Sequence, residues 1–324
     1  MFFISFRRVM LWMLSAVMLL LWQTAFAGPI LNRIMERRMA QQQDVIADES
    51  GVSRQVSLPA GARIVRDFQY GTDKRQRMDI YLPWQAVGAP VIFMVHGGGW
   101  RIGDKGMKSV VENKMNRWVP KGLIFISVNY RMVPDADPIE QENDIARALA
   151  AAQGKAATLG GDPTKFILMG HSAGAHLVAL LAASPATAYK LGAGPWIGAI
   201  SLDSGAIDVI QIMQTRHFSL FDQAFGSDAA YWKKASPYHE LTAQATPFLV
   251  VCLAQRRVSC PQARKFVDRA VSLHVRASVL EQNLSHKDIN QQLGLEGSYT
   301  DAVESFMGSL DSSVMRILKD RRIP

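Results

Sequence analysis

The fold is decided by the stretch Ile167-Leu168-Met169-Gly170-His171-Ser172-Ala173-Gly174-Ala175-His176. An apolar run ends in Gly-His-Ser-Ala-Gly, and a helix-like pattern from Ala173 to Ala183 begins at once. That order reads as strand, sharp turn, helix. In such a turn the serine is held at strained backbone angles, and glycines two residues to either side let strand and helix pass closely. The hydroxyl is thereby presented to a histidine, which makes Ser172 a candidate nucleophile. A bare G-x-S-x-G arises by chance in many chains. Here the flanking strand and helix, and a second glycine cluster upstream, give it context.

Upstream, Val91–Val95 is a buried-strand run that ends in His96-Gly97-Gly98-Gly99-Trp100. Two earlier strands are expected at Ile64–Tyr70 and Arg77–Leu82. A helix near Met107–Trp118, a strand Leu123–Asn129 and a long alanine-rich helix Ile139–Ala157 follow. Gly160-Gly161-Asp162-Pro163 then turns the chain into a strand Phe166–Met169. Downstream, strands are expected at Ile197–Leu202, Phe248–Leu253 and Val275–Leu280, with helices at Pro261–Ser272 and Tyr299–Lys319. Strands alternating with helices at this spacing imply a mostly parallel central sheet with helices on both faces. Residues 205–246 read as irregular and aromatic-rich, either a cap over the site or a cover for the sheet.

Of the 324 residues, 48% are hydrophobic and 20% charged, enough for one large α/β domain. The net charge of +8 is scattered, and no aromatic-interleaved basic run points to nucleic acid. Arg7 and Arg8, the apolar run Val9–Trp22 and the small residues Ala25 and Ala27 form a secretory signal pattern, with cleavage after Ala27. Those apolar residues fall short of the roughly 20 that a spanning helix needs. An uncleaved anchor through residues 9–22 is the rival reading. The expected setting is outside the cytoplasm, in a bacterial periplasm, where a disulfide between Cys252 and Cys260 is chemically permissible. The organisation is thus a signal segment at 1–27, a polar, partly helical lead-in at 28–60, and one catalytic domain at 61–324. Within the lead-in, Ile30, Leu31, Ile34, Met35 and Met39 fall at helical spacing between arginines. Such a basic amphipathic helix packs on its own domain or makes weak membrane-surface contact.

Acyl transfer needs a nucleophile, a base, a group that orients the base, and donors for the oxyanion. With Ser172 as nucleophile, the Gly98 and Gly99 backbone and the Ala173 N–H are the candidate oxyanion hole. On this plan the acid and then the histidine follow the serine along the chain. His286, in Leu284-Ser285-His286-Lys287-Asp288, lies between the last strand and the last helix and is the candidate base. His171 and His176 flank the nucleophile as neighbours, His274 reads as structural, and His239 is the weaker alternative.

His96-Gly97-Gly98-Gly99-Trp100-Arg101-Ile102-Gly103-Asp104-Lys105, Asn129-Tyr130-Arg131, Gly160-Gly161-Asp162-Pro163 and Gly170-His171-Ser172-Ala173-Gly174-Ala175-His176-Leu177 stand in order. Together they resemble the α/β-hydrolase superfamily, in the esterase branch that includes kynurenine-formamidase-like enzymes and prenylcysteine methylesterases. The resemblance covers roughly residues 62 to 290. It implies an α/β-hydrolase fold and a serine hydrolase acting on small-molecule carboxylic esters or related amides, with no metal and no cofactor. The chain departs from that pattern at the acid. Where the family carries an aspartate, alignment of Ala254–Cys260 places Arg257, and no Asp or Glu occurs between Leu241 and Val267. Asp203, after the strand that follows the elbow helix, is the most plausible substitute; Asp208 and Asp288 are further candidates. If none serves, the chain is a catalytically impaired hydrolase fold kept for binding.

Overall fold

The computed structural model describes residues 56–256 and 258–320. Residues 1–27, expected to be a signal segment, the amphipathic pattern at 30–39 and Arg257 lie outside the described residues. Among those described, no helix is long and apolar enough to cross a membrane.

Eight strands form one sheet. In chain order they are β1 (Arg63–Gln69), β2 (Arg77–Leu82), β3 (Ala89–Val95), β4 (Ile124–Val128), β5 (Gly161–His171), β6 (Gly198–Leu202), β7 (Phe248–Leu253) and β8 (Ala277–Gln282). Their spatial order is β1-β2-β4-β3-β5-β6-β7-β8. Only β2 runs against its neighbours, pairing antiparallel with both β1 and β4; the remaining pairs are parallel. This is the α/β-hydrolase architecture expected from the sequence.

Strand β3 shows why a continuous apolar run was needed. Alternate side chains point to opposite faces. Val91, Phe93 and Val95 join one core with Ile145 and Leu149 of α2 (Pro138–Ala156) and Leu177 of α3 (Ala173–Ala183). Ile92 and Met94 join the other, with Val110, Val111, Met115 and Trp118 of α1 (Lys108–Trp118). Both faces are covered, so neither could be polar.

The expected boundaries are corrected at several points. Gly161-Asp162-Pro163 opens β5 rather than forming a separate turn, and the last strand is displaced to Ala277–Gln282. Residues 205–246 are not irregular. After α4 (Ala186–Lys190), they carry four short helices, α5 (Val209–Met213), α6 (Ser219–Phe225), α7 (Ala229–Lys234) and α8 (Pro237–Glu240). Each is too short to show a period, and two are started by aspartate caps, Asp208 and Asp228. Beyond α9 (Ser259–Ser272) lies a short helix that the sequence pattern did not suggest, α10 (His286–Gln291). The closing helix is two helices, α11 (Ser298–Leu310) and α12 (Ser312–Lys319), broken where extended Asp311 accepts from the N–H groups of Ser313 and Val314.

The ends of β5, β6 and β8 converge at one edge of the sheet. Ser172 follows β5, Asp203 follows β6 and His286 follows β8. The pairing continues past the strands, with Ser172 N–H bonded to Leu202 O and Asp203 N–H to Val251 O. Sites in open parallel sheets lie at this carboxyl edge.

Candidate active site

Ser172 occupies the elbow at φ 54° and ψ −117°, a conformation that costs an L-residue on the order of 1–3 kcal/mol. Two glycines make it attainable. A Cβ on Gly170 would stand 2.3 Å from Gly174 O, and one on Gly174 would stand 2.3 Å from Val95 O. The serine is 8% exposed and lines a small pocket with Gly99, Trp100, Gly205, Phe218, Leu220, Phe221 and Arg256 among others. Part of the 205–246 segment, expected to be either a cap or a cover for the sheet, therefore borders the site.

The glycine loop that supplies Gly99 is tightly held. Gly98 has φ 107°, and its carbonyl accepts from Arg101 and Ile102. A Cβ there would be 1.9 Å from Ile102 O. The motifs on either side brace the loop. Tyr130 donates to His96 O at 2.9 Å, Lys105 N–H donates to Asn129 Oδ1 at 2.6 Å, and Asn129 Nδ2 donates to Asp104 Oδ2 at 3.1 Å. Lys105 is itself paired with Asp67 and Asp79, at 2.9 Å each.

Trp100, last in the glycine motif, donates from Nε1 to His176 Nδ1 at 3.1 Å, and His176 Nε2 donates to Ala235 O at 2.7 Å. His176 is wholly buried, and that burial pushes its pKa down to about 4, against the opposing pull of the Ala235 carbonyl. It stays neutral, as the Trp100 bond requires, and ties the loop to the elbow helix.

His286 opens α10, where Ser285 caps the helix by accepting from Asp288 N–H at 3.0 Å. Asp288 is thus a capping partner. His286 Nδ1 donates to Asp203 Oδ2 at 2.5 Å, its carbonyl accepts from His171 Nε2 at 3.0 Å, and the two imidazoles lie 4.5 Å apart. Its buried Nε2 has no hydrogen-bond partner among the described residues. With the proton on Nδ1 directed at a carboxylate, Nε2 carries the lone pair that a base needs.

Asp203 is fully buried, at φ 49°. Oδ1 accepts from Leu253 N–H at 3.1 Å and from the Ser259 hydroxyl, Oδ2 accepts from His286, and Arg256 Nη1 lies 3.6 Å from Oδ2. Burial works to raise its pKa. The hydrogen bond and charge of His286, followed by Arg256 and Ser259, overcome that effect and hold the carboxyl far below the usual range. Asp208 and His239 are engaged elsewhere. Asp208 caps α5 and meets Lys265 at 2.9 Å, and His239 lies 3.3 Å from Asp208.

Cys252 and Cys260 are joined in a disulfide. Leu253, Arg256 and Ser259, which surround Asp203, all lie between them. The sequence reading gave no role to Arg256, Ser259 or the Trp100–His176 pair. Trp100 and His176 stood in the quoted motifs and Arg256 and Ser259 in the loop aligned with the family's acid, but nothing local marked their contacts. Among the described residues, no group of three or more His, Cys, Asp or Glu is placed to hold a metal ion.

Comparison with known proteins agrees with this architecture. Residues 78–269, more than half of the chain, match the BD-FAE family model. The chain is similar to a probable isoprenylcysteine alpha-carbonyl methylesterase of Oryza sativa subsp. japonica, 32% identical over 119 residues, which are 36% of this chain and 27% of that protein. It is also similar to esterase LipQ of Mycobacterium tuberculosis, 33% identical over 203 residues, 57% of this chain and 47% of that one. The chain therefore spans about a quarter to a half of the length of these relatives. Among solved structures, esterase B of Lactobacillus Rhamnosis shares the fold with a TM-score of 0.64 at 17% identity, over 93% of this chain and 96% of that one.

Proposed function

Because the chain belongs to the BD-FAE family of esterase-type α/β-hydrolases, we propose that it cleaves carboxylic esters through an acyl intermediate on Ser172. In this reading Ser172 Oγ attacks the ester carbonyl as His286 Nε2 takes its proton. Asp203, already bonded to Nδ1, stabilises the imidazolium that forms. The carbonyl oxygen becomes an oxyanion and is held by the N–H of Ala173 and those of Gly98 and Gly99. Such donors are each worth on the order of 10²–10³ in turnover. Collapse expels the alcohol, which takes the proton from His286. A water, deprotonated by the same Nε2, then releases the acid and restores Ser172.

The observation that carries the proposal is the His286–Asp203 hydrogen bond beside the strained elbow. It supplies the orienting carboxylate whose absence would favour a binding protein. The Cys252–Cys260 disulfide supports an exported setting, in keeping with the signal pattern of residues 1–27. Hydrolysis of 4-nitrophenyl acetate by the wild type and by Ser172→Ala tests the reading. Loss of about 10³-fold or more in the variant is expected, and equal rates would overturn it.

A further inference from the structure

The pocket above Ser172 is walled by Phe218, Leu220 and Phe221, with one charged side chain, Arg256, among its lining residues. Such a cation is unusual beside a histidine that must itself become charged, since like charges disfavour each other. Its setting explains how it is tolerated. The side chain is 20% exposed and lies 3.6 Å from the ionised Asp203. Asp203, however, spends its two oxygens on His286, Leu253 N–H and Ser259. Arg256 offsets the aspartate's charge from a distance, and no side-chain hydrogen bond from its guanidinium is formed among the described residues.

A guanidinium carries five donors in a rigid fork matched to a carboxylate. Here that fork borders the pocket at Gly205, where even an added Cβ would stand only 3.5 Å from Nη2. A side chain at 205 would rest against the fork, and glycine leaves that contact free. The loop that bears Arg256 is closed by the Cys252–Cys260 disulfide, so the group is held at the site by covalent structure.

We propose that Arg256 is a specificity-determining residue that selects esters bearing a free carboxylate near the scissile bond. The inference rests on the esterase reading and specifies its substrate class. The bound carboxylate would take the guanidinium donors that Asp203 leaves unused. A bidentate pair of this kind is stronger than a neutral hydrogen bond and geometrically selective.

The test compares esters of similar size with and without the charge. Monomethyl succinate places it on the acyl side and carboxymethyl butyrate on the alcohol side, with methyl butyrate as the neutral reference. The wild type is expected to favour at least one charged ester over the reference by about tenfold or more in kcat/KM. Arg256→Gln should abolish that preference chiefly through KM, as loss of binding common to ground and transition states requires. Arg256→Lys should restore part of it. Thermal melting of each variant reports folding separately. If the wild type shows no preference, or if Arg256→Gln lowers all three esters by one factor, Arg256 serves Asp203 alone and the inference is overturned. If Ser172→Ala hydrolyses all three at the wild-type rate, the esterase reading itself has failed.

Discussion

His286 Nδ1 and Asp203 Oδ2 meet at 2.5 Å although the two residues are 83 positions apart in the chain. The aspartate follows the strand immediately after the elbow helix and reaches the histidine from β6, whereas the resemblance had placed the acid in the loop after β7. That loop is not idle, because it supplies Leu253, Ser259 and Arg256 around the carboxylate.

Asp203→Asn should lower kcat by about 10³–10⁴-fold, because the amide cannot stabilise the imidazolium and favours the wrong tautomer. Asparagine tolerates the left-handed backbone at φ 49° better than most residues. The variant is therefore expected to melt near the wild-type temperature while losing turnover. Unchanged turnover would remove Asp203 from the mechanism.

Reducing Cys252–Cys260, or making Cys252→Ala with Cys260→Ala, should destabilise the protein by about 2–3 kcal/mol from loop-closure entropy. Turnover should fall as well, since the bridge closes the loop that holds Asp203. Thermal melting and kcat measured with and without reductant check both effects. A melting shift with kcat preserved would show that the bridge stabilises the fold without shaping the site.

Protonation of His176 should destabilise the fold in mild acid. With its folded pKa pushed down to about 4, the unfolded chain takes up a proton first as pH falls below its ordinary value of about 6.5. Stability from this residue is complete above about 6.5 and is lost as pH falls toward 4. The full effect is about 3 kcal/mol. Urea unfolding midpoints across that window should decline, and more gently in His176→Gln. Activity of the folded protein should hold across most of that window and fall only near pH 4, where the native histidine takes a proton and Nδ1 can no longer accept from Trp100.

Gly98→Ala places a methyl where only 1.9 Å separates it from Ile102 O, at a φ of 107°. The glycine loop must shift to admit it. A fall in kcat of about 10²–10³-fold is expected, the scale of losing one oxyanion donor. Steady-state kinetics with 4-nitrophenyl acetate measure it, and a wild-type kcat would count against this loop as the oxyanion hole.

What the sequence revealed depended on how local each signal was. The elbow, the glycine loop and the apolar strands are contiguous, and their conformations follow from neighbours such as Gly170 and Gly174. The four helices within 205–246 were missed because segments of four to seven residues show no period. The break at Asp311 was missed because the apolar pattern continues across it. Asp203 was legible as the first of three candidate aspartates from its place after the strand that follows the elbow helix, but its partner is 83 positions distant and nothing local marks the pairing. Arg256 and Ser259 gain meaning only once β7 and α9 bring them to Asp203. The segment at 1–27 lies outside the described residues, and the proposed export is argued from its sequence pattern and from the disulfide.

The central claim, that Ser172 is an activated nucleophile, is tested most directly by covalent labelling with an alkyl fluorophosphonate, read by intact mass and peptide mapping. The expected result is one adduct per chain, on Ser172, absent from Ser172→Ala and formed far more slowly in Asp203→Asn. No adduct, or an adduct on another residue that survives Ser172→Ala, would contradict the account.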